Sequence, residues 1–254
     1  MKVTAFVGSA RKKHTYNATE KFLKELQSNG DIDYEIISLS EQNLQICQGC
    51  KLCLDKGEEL CPLNDDRDLL LEKIEASDGV IFATPNYSFQ VSAHMKIFLD
   101  RLGFIFHRPR YFSKTFTSIV AQGVYGGDKI VKYLNFVGGG LGFNIVKGSC
   151  ITTREPITTK MKQKNERTIS RQARKYYRKL ITRAYTSPSL FQLMVFRMSR
   201  SSMEKMLNEE FRDYTYYKKK GWFDSDYFYP VKLNPLKKLT GKLFDWMARR
   251  MASA

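Results

Sequence analysis

The first 150 residues alternate between short apolar runs and segments with helical spacing. Runs rich in β-branched and other apolar residues predict five strands, at Lys2–Gly8, Ile32–Leu39, Gly79–Thr84, Thr115–Ala121 and Phe143–Ser149. Apolar side chains at helical spacing predict helices between them, over Thr15–Ser28, Asp65–Ala76, Val91–Phe104 and Lys129–Val137. Because strands joined through helices pair in parallel by right-handed crossovers, the alternation predicts an α/β fold with a five-stranded parallel sheet.

A parallel sheet covered by helices on both faces is the doubly wound, flavodoxin-like arrangement. Ligands of such sheets bind beyond the carboxyl ends of the strands, near the point where the strand order reverses. Three loops follow predicted strands at this edge, over residues 8–17, 84–89 and 121–127. The sequence therefore predicts a binding site where these three loops meet.

The loop after the first strand is rich in hydroxyl, amide and basic side chains and leads into a helix. Free N–H groups at the helix start favour an anion, to which Ser9, Thr15 and Asn17 would add donors and Arg11 a charge. The loop lacks the Walker lysine motif and the three glycines of a dinucleotide fingerprint, which favours a single phosphate. A solvated turn before a capped helix is an equal alternative on the composition of this loop alone.

The other two loops have features that suit a flat ring. Tyr87 and Phe89 are aromatic residues beyond the end of the third strand, where they would line such a ring. The loop after the fourth strand contains Gly123, Gly126 and Gly127, which would let the backbone approach a ligand closely. Each loop alone is a weak signal, and their common position at one sheet edge strengthens it.

Several short motifs occur in one order along this part of the chain. They are Ser9-Ala10-Arg11, Thr84-Pro85-Asn86-Tyr87, Met95-Lys96-x-Phe98-x-Asp100-Arg101 and Gln122-Gly123. In these motifs residues 1–150 resemble the NAD(P)H-dependent FMN reductases of flavodoxin fold. The resemblance implies non-covalently bound FMN, with NAD(P)H as a candidate electron donor.

The resemblance also implies a set of site residues. The FMN phosphate would be held by Ser9, Arg11, Thr15, Tyr16 and Asn17. The ribityl chain and ring would be lined by Pro85, Asn86, Tyr87, Ser88 and Phe89, and the far side of the ring by Gln122, Gly123, Gly126 and Gly127. Family members often have Gly-Asn-Thr in the phosphate loop, where this chain has His14-Thr15-Tyr16-Asn17. We nominate no catalytic acid or base, because the flavin carries the redox chemistry.

Four cysteines lie within fifteen positions, as Cys47-x2-Cys50-x2-Cys53-x7-Cys61 followed by Pro62. Three thiolates at this spacing can converge on adjacent corners of a cuboidal cluster, as in the similar bacterial ferredoxin motif. The motif predicts that all four cysteines ligate one 4Fe–4S cluster. The alternatives are thiols or a disulfide at Cys50 and Cys53, and a zinc site, whose Cys-x2-Cys pairs are usually farther apart. The segment also resembles that of the iron–sulfur flavoproteins, a branch of the same family.

The net charge of +16 is concentrated in the last 104 residues. Residues 1–150 contain 18 basic and 17 acidic residues, whereas residues 151–254 contain 24 basic and 9 acidic ones. This division predicts an FMN-binding domain over 1–155, with its cysteine cluster at 47–61, and a basic, aromatic-rich extension over 156–254. The helices predicted there are Lys160–Ala184, Ser189–Phe211 and Leu236–Ala252, with an aromatic stretch at Tyr214–Tyr229.

The extension has two interpretations. Its apolar residues would pack on the sheet domain or on a neighbouring subunit, and the family resemblance implies a homodimer or homotetramer. The alternative is a basic surface-binding module, on a flavodoxin scaffold, for an anionic membrane or a nucleic acid. Nucleic acid is the weaker partner because the excess charge is confined to the extension, and no motif specifies a peripheral membrane contact.

The sequence as a whole predicts an FMN-dependent electron-transfer oxidoreductase. Its donor and acceptor would be small molecules or proteins, and with a cluster present FMN would join two-electron to one-electron chemistry. No apolar run approaches the roughly 20 residues of a membrane helix, and no secretory signal follows Met1. We therefore expect a cytoplasmic protein.

Overall fold

The computed structural model of the protein describes residues 1–252. The described chain forms two compact units, which we treat separately. The first unit contains residues 1–47 and 63–183, and the second contains residues 48–62 together with the chain from Ala184 onward.

The sheet of the first unit is parallel throughout. Its strands are β1 (Lys2–Val7), β2 (Asp33–Ser38), β3 (Gly79–Pro85), β4 (Thr115–Gln122), β5 (Asn144–Ile145) and β6 (Ser149–Thr152). The order across the sheet is β2-β1-β3-β4, and both β5 and β6 pair with the outer side of β4. This is the flavodoxin-like order, so the predicted fold class is confirmed.

The fifth sheet position is occupied by an interrupted strand. The sequence predicts one strand over Phe143–Ser149. In the structure the chain pairs with β4 first as β5, is interrupted, and then pairs with β4 again as β6, which ends at Thr152. At the break, a Cβ atom on Gly148 would lie 2.6 Å from the carbonyl oxygen of Ser118. Only glycine allows the backbones to come this close. The Gly148 N–H is donated to Asn135 Oδ1, 3.3 Å away, instead of to β4.

The described part of the chain contains nine α-helices. They are α1 (His14–Gln27), α2 (Leu52–Asp55), α3 (Arg67–Glu75), α4 (Ala93–Arg101), α5 (Gly127–Gly140), α6 (Thr159–Thr182), α7 (Leu190–Met206), α8 (Arg212–Lys219) and α9 (Pro235–Met251). The predicted helix ending at Phe104 is shorter, because α4 gives way to a 3-10 helix over Gly103–Phe106. The two short helices α2 and α8 were not predicted.

Helix α6 packs into the core of the first unit. Its side chains Ile169, Ala173, Tyr176 and Leu180 are buried together with apolar residues of β1 and α1. Tyr176 donates its hydroxyl proton to the Thr115 carbonyl, 3.0 Å away. Helix α6 therefore belongs to the compact unit that contains the sheet, which extends to Arg183. The boundary predicted from the change in charge composition lies earlier, near residue 155.

The second unit is built on the packing of α7 against α9. Asp245 of α9 accepts hydrogen bonds from Arg197, Arg200 and Ser201 of α7 at 2.8–2.9 Å. Because two guanidinium groups and a hydroxyl converge on one carboxylate, this contact fixes the register of the two helices.

The cysteine-containing segment 48–62 also belongs to the second unit, where α2 contacts α8. The guanidinium of Arg212 lies 3.9 Å from a carboxylate oxygen of Glu58 and 3.6 Å from one of Glu59. Lys56 donates from Nζ to the Glu210 carbonyl, 3.3 Å away. The extension therefore holds this segment through the side chain of Arg212 and the backbone carbonyl of Glu210.

Within residues 1–252, we find no helix long and apolar enough to cross a membrane.

Candidate functional site

A cavity of about 440 Å³ opens at the carboxyl edge of the sheet. It is formed by the loops that follow β1, β3, β4 and β6, all within the first unit. Its lining residues are Ser9, Arg11, Lys13, His14, Thr15, Pro85, Asn86, Tyr87, Ala121, Gly123, Thr153, Arg154 and Glu155. The position agrees with the rule that doubly wound sheets bind ligands at this edge.

The β1–α1 loop gives the cavity the start of a helix. Thr15 is buried in the first turn of α1, and Ser9 is buried with its hydroxyl donating to the Arg11 carbonyl, 3.1 Å away. The helix begins after Lys13, and in the described structure no side chain caps it there. Its first N–H groups are therefore left for an anion, whose charge the helix dipole also favours.

Charged side chains surround this helix start. Arg11, Lys13 and Arg154 line the cavity together with one carboxylate, that of Glu155. His14 Nε2 and Glu155 Oε1 are 3.1 Å apart, so the carboxylate is held by the imidazole. Arg11, Lys13 and Arg154 outnumber this single carboxylate, so this end of the cavity is suited to a phosphate.

Asn86 brings a buried polar atom without a partner to the cavity. Its backbone N–H donates to the Ala121 carbonyl at 2.7 Å, and its side-chain Nδ2 donates to the Tyr125 carbonyl at 2.9 Å. Its side-chain oxygen Oδ1 is buried and, within residues 1–252, accepts no hydrogen bond. A buried acceptor left unsatisfied costs about 1–3 kcal/mol, which a donor on a bound ligand would recover.

The structure places part of the predicted FMN set in this cavity and the rest beside it. The lining residues are Ser9, Arg11, Thr15, Pro85, Asn86, Tyr87 and Gly123. The predicted residues outside the lining are Tyr16, Asn17, Ser88, Phe89, Gln122, Gly126 and Gly127. No contact with FMN is described for any of them, so their assignment as FMN ligands stays a prediction.

Four of the residues outside the lining have local structural roles. Gln122 Oε1 accepts a hydrogen bond from the N–H of Gly127, 2.7 Å away, at the first residue of α5. Gly126 has φ +91°, and a Cβ atom there would lie 2.8 Å from the ring of Phe89. Phe89 in turn lies beside Tyr125, with ring centroids 5.3 Å apart. The last two contacts hold the loop after β3 against the loop after β4.

Thr153, Arg154 and Glu155 line the cavity but were missed in the sequence. They follow β6, whose end lies at Thr152 and not at the predicted Ser149. The rule about carboxyl ends of strands would have found them if the strand end had been placed correctly. These residues were missed because the sequence analysis did not predict the interruption of the strand at Gly148.

The four clustered cysteines are not assembled into a metal site. Cys47 and Cys50 are exposed, whereas Cys53 and Cys61 are half-buried. Among residues 1–252, no group of three or more His, Cys, Asp or Glu side chains has an arrangement that could hold a metal ion. Four thiols are nevertheless the right donors, in element and number, for one iron–sulfur cluster. The chemistry of the donor set fits a cluster, and the described geometry does not present it preformed.

Cys150 differs from these four. It lies on β6, and its sulfur packs where a Cβ atom on Gly127 would be. Burial, with a smaller effect of Asp128, raises the pKa of the Cys150 thiol to about 11. A neutral, packed thiol of this kind is a poor nucleophile and a poor metal ligand. Cys150 therefore has a structural role in the described chain.

Comparison with known proteins identifies relatives of the sheet unit. Residues 1–155 match the family described as NADPH-dependent FMN reductase. An iron–sulfur flavoprotein of Archaeoglobus fulgidus is 36% identical over 162 residues, which cover 58% of this chain and 71% of that protein. An iron–sulfur flavoprotein of Methanosarcina thermophila is 30% identical over 101 residues, 40% of this chain and about half (52%) of the relative.

Solved structures share the fold at low sequence identity. RosB with a bound 8-demethyl-8-formylriboflavin-5'-phosphate intermediate aligns with a TM-score of 0.56 and 13% identity, over 92% of each chain. The NAD(P)H:quinone oxidoreductase of Methanothermobacter marburgensis aligns with a TM-score of 0.54 and 20% identity, over 68% of this chain and 96% of that one. At these identities the two structures support the flavodoxin-like fold alone.

Proposed function

This chain belongs to the NADPH-dependent FMN reductase family, and from that premise we propose that it is an NAD(P)H-linked flavoenzyme that also holds a 4Fe–4S cluster. Membership makes it an FMN-containing oxidoreductase. The observation that supports the flavin site is the cavity at the carboxyl edge, where an uncapped helix start, three cations and the unpartnered Asn86 Oδ1 converge. The electron donor, the acceptor and the cluster are the proposed parts.

The residues of the cavity divide into a phosphate end and a ring end. Ser9, Arg11 and Thr15 would hold the phosphate of FMN at the start of α1, with the cations of Lys13 and Arg154 nearby. The ring end is bounded by residues 85–87, where Asn86 Oδ1 would accept a hydrogen bond from the cofactor. When bound, FMN supplies the exchange of electron pairs and single electrons, and the protein supplies binding and orientation.

For the cluster, we propose Cys47, Cys50, Cys53 and Cys61 as its four thiolate ligands. The proposal is supported by the donor set and by the relatives named iron–sulfur flavoproteins. Electrons would leave to a small-molecule or protein acceptor. We also propose a homodimer or homotetramer, in keeping with the oligomers expected in this family.

The phosphate end can be tested with two neighbouring cations. Arg11 lines the cavity, whereas Lys12 points to Glu41, with Nζ 2.7 Å from Oε1, and lies outside the lining. Losing a charged hydrogen bond costs about 1.5–3 kcal/mol, so Arg11→Ala should weaken FMN binding roughly 10- to 150-fold in a fluorescence titration. Lys12→Ala removes the same charge and should change the affinity less than about threefold. Equal effects of the two variants would remove Arg11 from the site.

The cluster can be tested by metal analysis of protein purified without oxygen. We expect iron and sulfide in nearly equal amounts, and their loss when Cys47, Cys50, Cys53 or Cys61 is changed to serine. Cys150→Ser is the matched control and should retain both. Protein that contains FMN and zinc, or FMN and no metal, would contradict the cluster while leaving the flavin assignment intact.

The electron donor can be tested separately. Mixing oxidised, FMN-loaded protein with NADH or NADPH in the absence of oxygen should bleach the flavin absorbance near 450 nm, a property of flavins in general. Bleaching by dithionite but by neither nicotinamide would contradict the NAD(P)H link. The Arg11→Ala variant, loaded by an excess of FMN, is the control: it should be reduced by the same nicotinamide, because the substitution affects FMN binding and not the electron donor.

A further inference from the structure

Helix α9 has a small, buried face toward α7. Ala248 is 1% exposed, and Gly241 lies so close to α7 that a Cβ atom there would be 3.1 Å from Arg197 Nε. Asp245, on the same face, accepts the hydrogen bonds from α7 described above. The packing of α9 against α7 therefore uses small and polar residues, and most of the large apolar side chains of α9 are exposed.

Those large side chains form a continuous exposed stripe. Its members lie along one side of the α-helix, with Trp246 and Met247 adjacent and the others three or four residues apart: Leu236, Leu239, Leu243, Trp246, Met247 and Met251. They are between 38% and 68% exposed. Isolated exposed apolar residues are ordinary, but a stripe that runs the length of a helix marks a contact surface.

Basic side chains border this apolar stripe. Lys238 and Lys242 are exposed along one side of it, together with Arg249, which pairs with Glu204 of α7 at 3.2 Å. The guanidinium of Arg250 lies over the Trp246 ring, 5.5 Å from its centroid. Pro235–Met251 contains five basic residues and one acidic residue, Asp245, which is already engaged by α7. The exposed surface of α9 is thus both apolar and positively charged.

The combination of apolar stripe and positive charge decides among possible occupants. A second copy of this helix in a two-fold contact would bring like charges together. A nucleic acid would neutralise the charge and leave the leucines and the tryptophan in water. An anionic lipid surface accepts both, because an interfacial helix buries its apolar face at the acyl boundary while its Lys and Arg side chains meet the headgroups.

We propose that α9 is an interfacial helix that docks the protein on anionic lipid bilayers. The role is independent of the FMN proposal, since no residue of the cavity takes part. The apolar stripe supplies burial in the interface, and the basic border supplies the preference for anionic headgroups. Each such basic residue contributes about fivefold to affinity near an anionic surface.

The test uses the full chain with its flavin and vesicles of phosphatidylcholine with or without phosphatidylglycerol. Co-sedimentation should show binding to the anionic vesicles only, weakened by salt. Trp246 fluorescence should shift to the blue on binding, because Trp222 is already buried. Leu239→Ser with Trp246→Ser should abolish binding, and Lys238→Gln with Lys242→Gln should weaken it about 25-fold.

A matched control pair lies on another helix. Lys160 and Lys164 are exposed on α6, so Lys160→Gln with Lys164→Gln removes the same charge away from the apolar stripe. It should change binding less than threefold, and every variant should keep its flavin content and circular dichroism. An equal loss in the α6 control, or absence of binding to anionic vesicles, would overturn the proposal. So would conversion of an oligomer to a monomer by the Leu239/Trp246 variant with vesicle binding unchanged.

Discussion

The contact between Gly79 and Tyr176 provides a sharp test of how α6 joins the sheet unit. The Tyr176 hydroxyl, fully buried, donates to the carbonyls of Thr115 at 3.0 Å and Val80 at 3.4 Å. A Cβ atom on Gly79 would overlap that hydroxyl oxygen. Because β3 pairs with β1 on one side and β4 on the other, its backbone cannot shift to relieve the overlap. Gly79→Ala should therefore be costly, and the cost should depend on residue 176.

The size of each effect follows from these contacts. Gly79→Ala overpacks the site at about 1–3 kcal/mol, offset by up to ~1 kcal/mol because alanine restricts the unfolded chain. Tyr176→Phe loses a buried hydrogen bond worth about 0.5–1.5 kcal/mol. In the double variant the oxygen is gone, and the nearest remaining atoms are Leu180 Cδ1 at 2.9 Å and Tyr176 Cζ at 3.1 Å. We expect the double variant to be more stable than the sum of the two single effects by about 1 kcal/mol.

Equilibrium urea unfolding of the four proteins measures this coupling. A control set of four proteins combines Gly79→Ala with Tyr177→Phe in place of Tyr176→Phe. Tyr177 is the next residue of the same helix and is only half-buried. That cycle should be additive within about 0.5 kcal/mol. Additivity in the Tyr176 cycle as well would show that the hydroxyl does not lie against Gly79, and the docking of α6 described above would be wrong.

Two further predictions concern ionisable groups of the first unit. Burial opposes ionisation of Asp65, but hydrogen bonds from Arg101 and from the backbone of Gln45 and Arg67 hold the pKa of its carboxyl below the usual value. This stabilisation is present above the unfolded pKa of about 4 and is lost as the pH falls through the lower folded pKa. Asp65→Asn should therefore lower the free energy of unfolding by about 3–5 kcal/mol at neutral pH and make the urea midpoint less dependent on pH in the acid range. An unchanged dependence of the urea midpoint on acid pH would contradict this. With its pKa at about 11, the Cys150 thiol should react with iodoacetamide at pH 8 about a hundredfold more slowly than the exposed thiol of Cys47 in metal-free protein. Equal labelling of the two cysteines, measured by mass spectrometry, would refute the burial of Cys150.

Much of the sheet unit could be predicted because its signals are local. Buried parallel strands have compact apolar runs, and Lys2–Val7 and Gly79–Pro85 lie within one residue of the predicted ends. The edge of the sheet that contains the cavity followed from the alternation of strands and helices alone. The family motifs also predict Ser9, Arg11 and Asn86, which line this cavity.

The placement of α6 could not be predicted from composition. Its basic residues suggested an appendage, whereas Ile169, Ala173, Tyr176 and Leu180 repeat at helical spacing and enter the sheet core. Composition averages over both faces of a helix, so the many charges on the outer face concealed this stripe. Which surface a stripe covers depends on contacts far apart in sequence, such as the one between Tyr176 and Thr115.

The cysteine segment shows a different limit. The spacing of the four thiols suggested a ligand set, but the backbone around them turns through left-handed conformations at Gly49, Lys51 and Gly57. A left-handed lysine is not recognisable from sequence, because most residues avoid that region and no motif marks the exception. The spacing therefore identified candidate ligands, and the path of the loop between them was not predictable.

The break at Gly148 has a consequence for the behaviour of the protein at high concentration. A long, regular outer strand offers a row of unpaired N–H and C=O groups on which another chain can add a strand and start an aggregate. Here the outer strand is reduced to a segment of two residues and one of four. The N–H of Gly148, which lies between them, is donated to Asn135 Oδ1. An irregular margin of this kind is a poor template for intermolecular β-pairing. The same glycine that lets the chain pass Ser118 therefore protects this edge of the sheet, the one opposite β2, against the addition of a strand from another chain.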